Sequence, residues 1–207
     1  MQTDELFVRQ AVVLASVLIY WVGVMVQARH VRRHIGRQPN VRPRGTREKL
    51  LWLGWMLVVV TWMALPFVVD PDSTGLWLQL NPYLLQTSGL VPGIALVVAG
   101  YAGTHWCYAS MGDTWRMGID RGEKTELVTR GPYRMVRHPI YVFQGVMLMG
   151  VAVLLPAPLA FIILPLHLAC VWVKATDEEA HLVTVHGQSY VDYCAQTGRL
   201  LPKLFRT

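Results

Sequence analysis

Long uncharged stretches alternate along this chain with short, crowded polar ones. Residues 10–28, QAVVLASVLIYWVGVMVQA, and 50–69, LLWLGWMLVVVTWMALPFVV, contain no Asp, Glu, Lys or Arg. At about 1.5 Å of rise per residue, each would cross about 30 Å, the hydrocarbon thickness of a bilayer. Backbone in lipid must satisfy its own hydrogen bonds, so both are expected to be helices. Residues 88–109, SGLVPGIALVVAGYAGTHWCYA, make a third span, rich in small residues that let helices pack closely. Residues 139–173 also lack those four charged types but are too long for one ordinary span, and LPAP at 155–158 interrupts them. A helical hairpin with arms 140–155 and 159–173 is expected, each arm slightly short for a full crossing, with Pro165 able to re-aim the second. The pattern thus predicts an all-α, polytopic integral membrane protein with five transmembrane helices in a single membrane domain over residues 1–207.

Composition agrees with this. Mean hydropathy is +0.34, and 15% of residues are charged, against about 25% in soluble domains. The segment before the first span, MQTDELFVR, is acidic and the apolar stretch after it is long, so a retained anchor is expected here rather than a signal peptide.

Charge sets the expected orientation. Residues 29–49 hold eight Lys and Arg, 110–139 hold six and 174–207 hold four, leaving only Arg9 of the 19. With five spans these three segments share one face, which the positive-inside rule makes cytoplasmic. The N-terminus and the loop 70–87 then lie outside and the C-terminus inside. The excess of Arg over Lys, 15 to 4, hints at a GC-rich bacterial genome, and the expected location is a bacterial cell membrane. The basic character serves orientation and contact with anionic membrane lipids; no nucleic-acid module is visible and no such partner is expected. Cys107, Cys170 and Cys194 share no metal-ligand spacing and are expected to be packing residues.

Candidate chemistry gathers where the hairpin begins and ends. RGPYRMVRHPIY at 130–141 borders the fourth span, and KATDEEAHLVTVHGQSYVDY at 174–193 leaves the fifth. A short turn brings the two inner ends of a hairpin together. His138 and Tyr141 should therefore lie near Asp177, Glu178 and Glu179. Glu178 and His181, three apart, with His138 would make a thin metal set, and no metal is expected. Carboxylates and tyrosine faces instead suit a cationic ligand with an amino group and a sulfonium, through charge pairing and cation–π contact. Backbone N–H groups near Gly131 and the start of the fourth helix, with Arg134 and Arg137, suit that ligand's own carboxylate. S-adenosylmethionine fits this description. Each feature also has a plainer explanation. The arginines orient the loop, Tyr133 and Tyr141 anchor it at the interface, and Glu178 and Glu179 start a helix capped by Thr176 or Asp177. His105 and His167 lie within spans and are expected to be packed.

The stretch LVTRGPYRMVRHPIY, 127–141, followed by Glu178-Glu179 and then Gly187, Tyr190, Tyr193 and Pro202, resembles the signature of the isoprenylcysteine carboxyl methyltransferase and phospholipid methyltransferase superfamily. MGDTWRMGID, 111–120, is similar to the loop before that signature in bacterial members. The resemblance covers about 110–202, within a cofactor-binding half at 88–207; residues 1–87, with two spans and a basic inner loop, carry no signature. It implies an S-adenosylmethionine-dependent methyltransferase with its cofactor site at the cytoplasmic face and a lipophilic small-molecule or lipid acceptor arriving from the bilayer. Leu127, Val128 and Tyr133 would line the cofactor, His138, Pro139, Ile140 and Tyr141 would hold it at the helix start, and Glu178 and Glu179 would close the other side. No certain catalytic base is implied; His138 is the candidate. Lipid-acceptor relatives often carry an arginine shortly before the glutamates; the nearest cation here is Lys174, a departure that speaks against a prenylcysteine carboxylate as acceptor. An NADPH-dependent reductase related to sterol reductases would need about twice as many spans, and a non-catalytic scaffold would need neither the Glu-Glu pair nor the RHPxY set.

Overall fold

The computed structural model describes residues 3–36, 45–85, 87–115 and 126–203. Arg37, Arg42, Arg44, Arg116, Arg121, Lys124 and Arg206 of the charge pattern, and residues 116–120 of the loop resemblance, lie outside these. Six α-helices form within the described residues: α1 Thr3–Ile35, α2 Thr46–Val68, α3 Leu90–Met111, α4 Pro139–Leu154, α5 Pro158–His186 and α6 Gln188–Gln196. Four of them, α1, α2, α3 and α5, are long and apolar enough to cross a membrane. The hairpin is present, but its arms are unequal. Helix α4 has 16 residues, whereas α5 has 29 and runs on without a break through Pro165 and past the end of the apolar stretch.

The helices are longer than their uncharged windows because their polar ends remain good helix. Asp4 and Glu5 sit in the first turn of α1, and Arg32, Arg33 and His34 in the last, each complementing the helix macrodipole. Over 33 residues α1 is about 50 Å long, well beyond a bilayer core. Many large apolar side chains point away from the bundle, among them Phe67, Leu53, Leu57 and Trp172, as expected of a multi-pass integral membrane protein.

Lipid gives helices no hydrophobic reason to associate, so close packing must hold them. The α3–α4 contact shows how. A Cβ on Gly100 would stand 2.6 Å from the Phe143 carbonyl oxygen, and one on Gly150 would stand 2.8 Å from both Gly93 O and Val97 N. Backbone meets backbone there, and nothing larger than glycine fits. Helix α1 is bound to α2 through aromatic rings, with Tyr20 edge-on to Trp62 at 5.5 Å and Trp21 to Trp55 at 5.9 Å.

Consecutive membrane helices run in alternating directions, so each face collects particular ends. At one face the loop after α2 lies on the hairpin turn: Asn81 N–H donates to Pro156 O at 2.9 Å and Leu159 N–H to Trp77 O at 3.2 Å. Arg9, fully buried, donates there to Leu154 O at 3.1 Å and pairs with Glu5 at 2.8 Å, covering the carbonyl end of α4. The three cysteines are free.

Candidate active site

The other face gathers the ends of α1 and α3, the starts of α2 and α4, and the last turns of α5. The chain reaches α4 through a tight 3-10 turn, Gly131–Arg134. Gly131 has φ +60°, and a Cβ there would strike Ser110, so only glycine lets this turn lie against α3. Pro139 then opens α4 with its φ already set for helix. His138 immediately before it makes no cap, which leaves its ring free for α5.

Residues 135–138 are held from the other side by the tail. Gly187, at φ +59°, ends α5 and turns the chain into α6. Tyr190 and Tyr193 of α6 are buried, and the Tyr193 hydroxyl donates to Tyr133 O at 2.7 Å. The chain then runs beside the α4 approach as a short parallel bridge between Val136 and Gly198. Arg137 N–H donates to Gly198 O at 2.8 Å and His138 N–H to Arg199 O at 3.2 Å.

This scaffold brings His138, Tyr141, Glu178 and Glu179 together. Glu179 accepts from Arg137 Nε at 2.8 Å, from Arg199 Nη2 at 2.7 Å and Nε at 3.1 Å, and lies 3.2 Å from His138 Nε2. Glu178 accepts from the Tyr141 hydroxyl at 2.8 Å, with His138 Nδ1 at 3.4 Å and Lys174 Nζ at 4.0 Å. His138 thus stands between two carboxylates, one at each ring nitrogen, and its ring stacks on Tyr141 at 5.7 Å. Burial alone would lower its pKa, but hydrogen bonds to Glu178 and Glu179 and their charges raise it above the ordinary 6.5. Only imidazolium donates from both nitrogens, so this surrounding favours the charged ring.

The two glutamates differ in commitment. Glu179 is a clamp whose oxygens are shared among two guanidinium groups and a histidine. Arg137 also donates to the Thr197 and Cys194 carbonyls, and Arg199 lies 4.7 Å over the Trp172 ring. Glu178 faces a phenol, the histidine edge and a half-exposed lysine that also stands 5.9 Å over the Tyr141 ring. Neither glutamate starts a helix: both lie inside α5, which began some twenty residues earlier at Pro158. Thr176, considered as a cap, donates to Trp172 O one turn back.

The remaining sequence-predicted residues lie in the turn before α4, in its first helical turn and in the chain ahead of that turn. Tyr133 is buried in the 3-10 turn, its hydroxyl pKa raised chiefly by burial. Pro139 is buried and Ile140 half-buried in the first turn of α4, and Leu127 and Val128 are half-buried in irregular chain ahead of the turn. Arg134 is exposed, and Arg130 donates to Ser110 O at 2.9 Å. Sequence reasoning missed Arg199 as the second partner of Glu179. The order Tyr190, Tyr193, Arg199, with the tyrosines on one face of a short helix, was the available signal.

Deeper along the same face of α4 lies a small cavity of about 20 Å³, lined by Tyr20, Trp55, Trp62, Gln144, Met147 and His167 among others. Gln144 is three residues beyond Tyr141, so both share that face. Gln144 Nε2 donates to the Tyr20 hydroxyl, and His167 Nε2 lies 3.3 Å from Tyr141 O. Trp62 Nε1, Gln144 Oε1 and His167 Nδ1 are buried without a hydrogen-bond partner. That makes three unsatisfied polar atoms around one space large enough for about one water.

The fold is that of a multi-pass helical membrane protein with a cluster of ionisable side chains where the α4–α5 hairpin meets one face. Residues 89–189 match the phospholipid methyltransferase family. The chain is 32% identical over 111 residues to the nickel-cobalt-cadmium resistance protein NccN of Alcaligenes xylosoxydans xylosoxydans, covering 53% of this chain and 51% of that protein. It therefore spans about half the length of this curated relative. Among solved structures it is similar to the eukaryotic intramembrane Ras methyltransferase ICMT, at 23% identity and TM-score 0.48, covering 74% of this chain and 50% of that one.

Proposed function

We propose that the protein transfers a methyl group from S-adenosylmethionine to a lipophilic acceptor at the cytoplasmic face of a bacterial cell membrane. The observation that carries this is the His138–Tyr141–Glu178 cradle at the junction of polar and apolar surface, inside the segment that matches the family. The donor set fits a ligand bearing both cationic and anionic groups. Glu178 offers carboxylate, Tyr141 and Tyr133 offer aromatic faces, and Leu127, Val128, Pro139 and Ile140 offer apolar wall. The two arginines on Glu179 fix the cradle's shape and leave Glu178 to the ligand.

S-adenosylmethionine supplies an already activated methyl, so positioning and exclusion of water are most of what the protein must provide. Tyr141 and His138 orient the Glu178 carboxylate by hydrogen bond and charge. The small Tyr20–Gln144–His167 space lies further along the same α4 face, and its unpartnered polar atoms suit a bound water there. His138, held between two carboxylates, is a stronger acid partner than base, so the acceptor is expected to arrive with its own lone pair available.

Calorimetric titration of the purified protein with S-adenosylmethionine, its demethylated product and NADPH tests this. Binding of the first two, lost in Glu178→Ala and His138→Ala, supports it; binding of NADPH alone sinks it. Radiolabelled methyl transfer into a membrane lipid extract then identifies the acceptor class. A second reading, favoured by the 32% identity to NccN, sets this chemistry in cells under transition-metal stress. Deletion should then lower tolerance to nickel, cobalt or cadmium, and unchanged tolerance rejects it.

A further inference from the structure

A second cluster lies apart from the methyl-transfer cradle and is independent of that reading. His30 and His34 are one helical turn apart at the end of α1. Gly112, at φ +55°, ends α3 in a conformation that L side chains rarely adopt and leads into the turn Gly112–Thr114, which places Asp113 against them. Asp113 Oδ1 lies 2.9 Å from His34 Nδ1 and 3.6 Å from His30 Nε2. One donor atom from each residue can be chosen so that all three lie within 4.8 Å of one another. The two imidazoles meet edge to face, centroids 4.1 Å apart, as ligands converging on a common point would.

We propose that His30, His34 and Asp113 bind a divalent transition-metal ion that staples the end of α1 to the turn after α3. An ion holding nitrogen and oxygen ligands tetrahedrally at about 2.0–2.1 Å sets those ligands roughly 3.3 Å apart. The two separations from Asp113 straddle that value, and side-chain rotation would draw the two imidazoles the rest of the way in. The scaffold is already in place without the ion, because Gln27 Nε2, one turn earlier on α1, donates to Gly112 O at 3.3 Å. Two imidazole nitrogens and one carboxylate favour zinc, nickel, cobalt or copper over magnesium or calcium. All three side chains are about half exposed, which leaves room for solvent to complete the coordination. Arg29, Arg32 and Arg33 share this end of α1, and their charge weakens the site. Binding is therefore expected to be exchangeable.

The test uses tag-free full-length protein in detergent, titrated with Co²⁺ and followed by its visible absorption, then competed with Zn²⁺ and Mg²⁺. One equivalent of saturable Co²⁺, displaced by Zn²⁺ and not by excess Mg²⁺, is expected. His30→Ala, His34→Ala and Asp113→Ala should each weaken binding at least tenfold. His181→Ala, beside the methyl-transfer cradle, should leave it unchanged. Asp113→Asn, which keeps a hydrogen-bonding partner for His34, replaces Asp113→Ala if that variant misfolds. No saturable Co²⁺ binding, or binding that survives the His30→Ala/His34→Ala double change, reduces the cluster to an ion pair. Loss of binding in His181→Ala alone moves the metal to the other site and overturns the proposal.

Discussion

The two faces of this bundle are tied in different ways. At the face of the hairpin turn, main-chain hydrogen bonds hold the loop, Asn81 to Pro156 and Leu159 to Trp77, and a single buried pair, Arg9 with Glu5, covers the end of α4. At the opposite face, ionisable side chains close the structure: Glu179 with Arg137 and Arg199, Glu178 with Tyr141 and His138, Arg47 with Asp177 at 2.9 Å, and His34 with Asp113. Main-chain ties neither titrate nor depend on residue type. Side-chain ties do both, and they can exchange an internal partner for a ligand. The first face relies mostly on main-chain ties and the second mostly on side-chain ones.

That contrast can be broken most forcefully at Glu179. Glu179→Ala removes the partner shared by Arg137 and Arg199 in a part-buried site, which costs about 1–3 kcal/mol. Thermal unfolding should show that loss together with loss of ligand binding, and a wild-type midpoint would refute the clamp. Glu178→Gln should separate the functions. Gln still accepts from Tyr141, so stability should fall by no more than about 1 kcal/mol, while S-adenosylmethionine binding weakens at least tenfold by calorimetry. If both quantities fall as far as in Glu179→Ala, the two carboxylates do not have separate roles.

His138 sharpens the comparison through pH. Its pKa is higher in the folded protein than its ordinary 6.5, so its contribution is full below about 6.5 and is lost as pH rises through the folded value. The gap in unfolding midpoint between wild type and His138→Asn should accordingly be widest in mild acid and narrow on the alkaline side; a gap constant from pH 5 to 9 would remove the charged histidine from the account. The smallest effect is expected at the other face. The Asn81 side chain accepts from Tyr83 N–H at 3.0 Å in an exposed turn, so Asn81→Ala should cost about 0.5–1 kcal/mol, with no dependence on pH or salt.

Much of this architecture was legible in the sequence because lipid is an unforgiving solvent. An uncharged window of 19 or 20 residues has few alternatives to a helix, and LPAP marks the hairpin turn plainly. The meeting of His138 and Tyr141 with Glu178 and Glu179 followed from antiparallel geometry alone. The length of α5 did not. Its charged last turns look like loop to a window that counts apolar residues, yet Ala175, Glu178, Glu179 and Ala180 are good helix formers and the helix runs on. Arg199 was hidden for another reason. Its pairing depends on a bridge of a few residues between 135–138 and 197–199, too short to leave an alternating pattern. His30, His34 and Asp113 come from two elements with no shared motif, so only the packing of α1 against α3 brings them into one view.

The bridge between 135–138 and 197–199 also sets an order of events in the cell. Thr197 accepts from Arg137 sixty residues behind it, and Arg199 reaches back to both His138 and Glu179. During synthesis the membrane helices, including the α4–α5 hairpin, can be inserted and packed while the cradle still lacks one wall. The helical bundle therefore precedes the bridge, which then braces the approach to α4 from the other side.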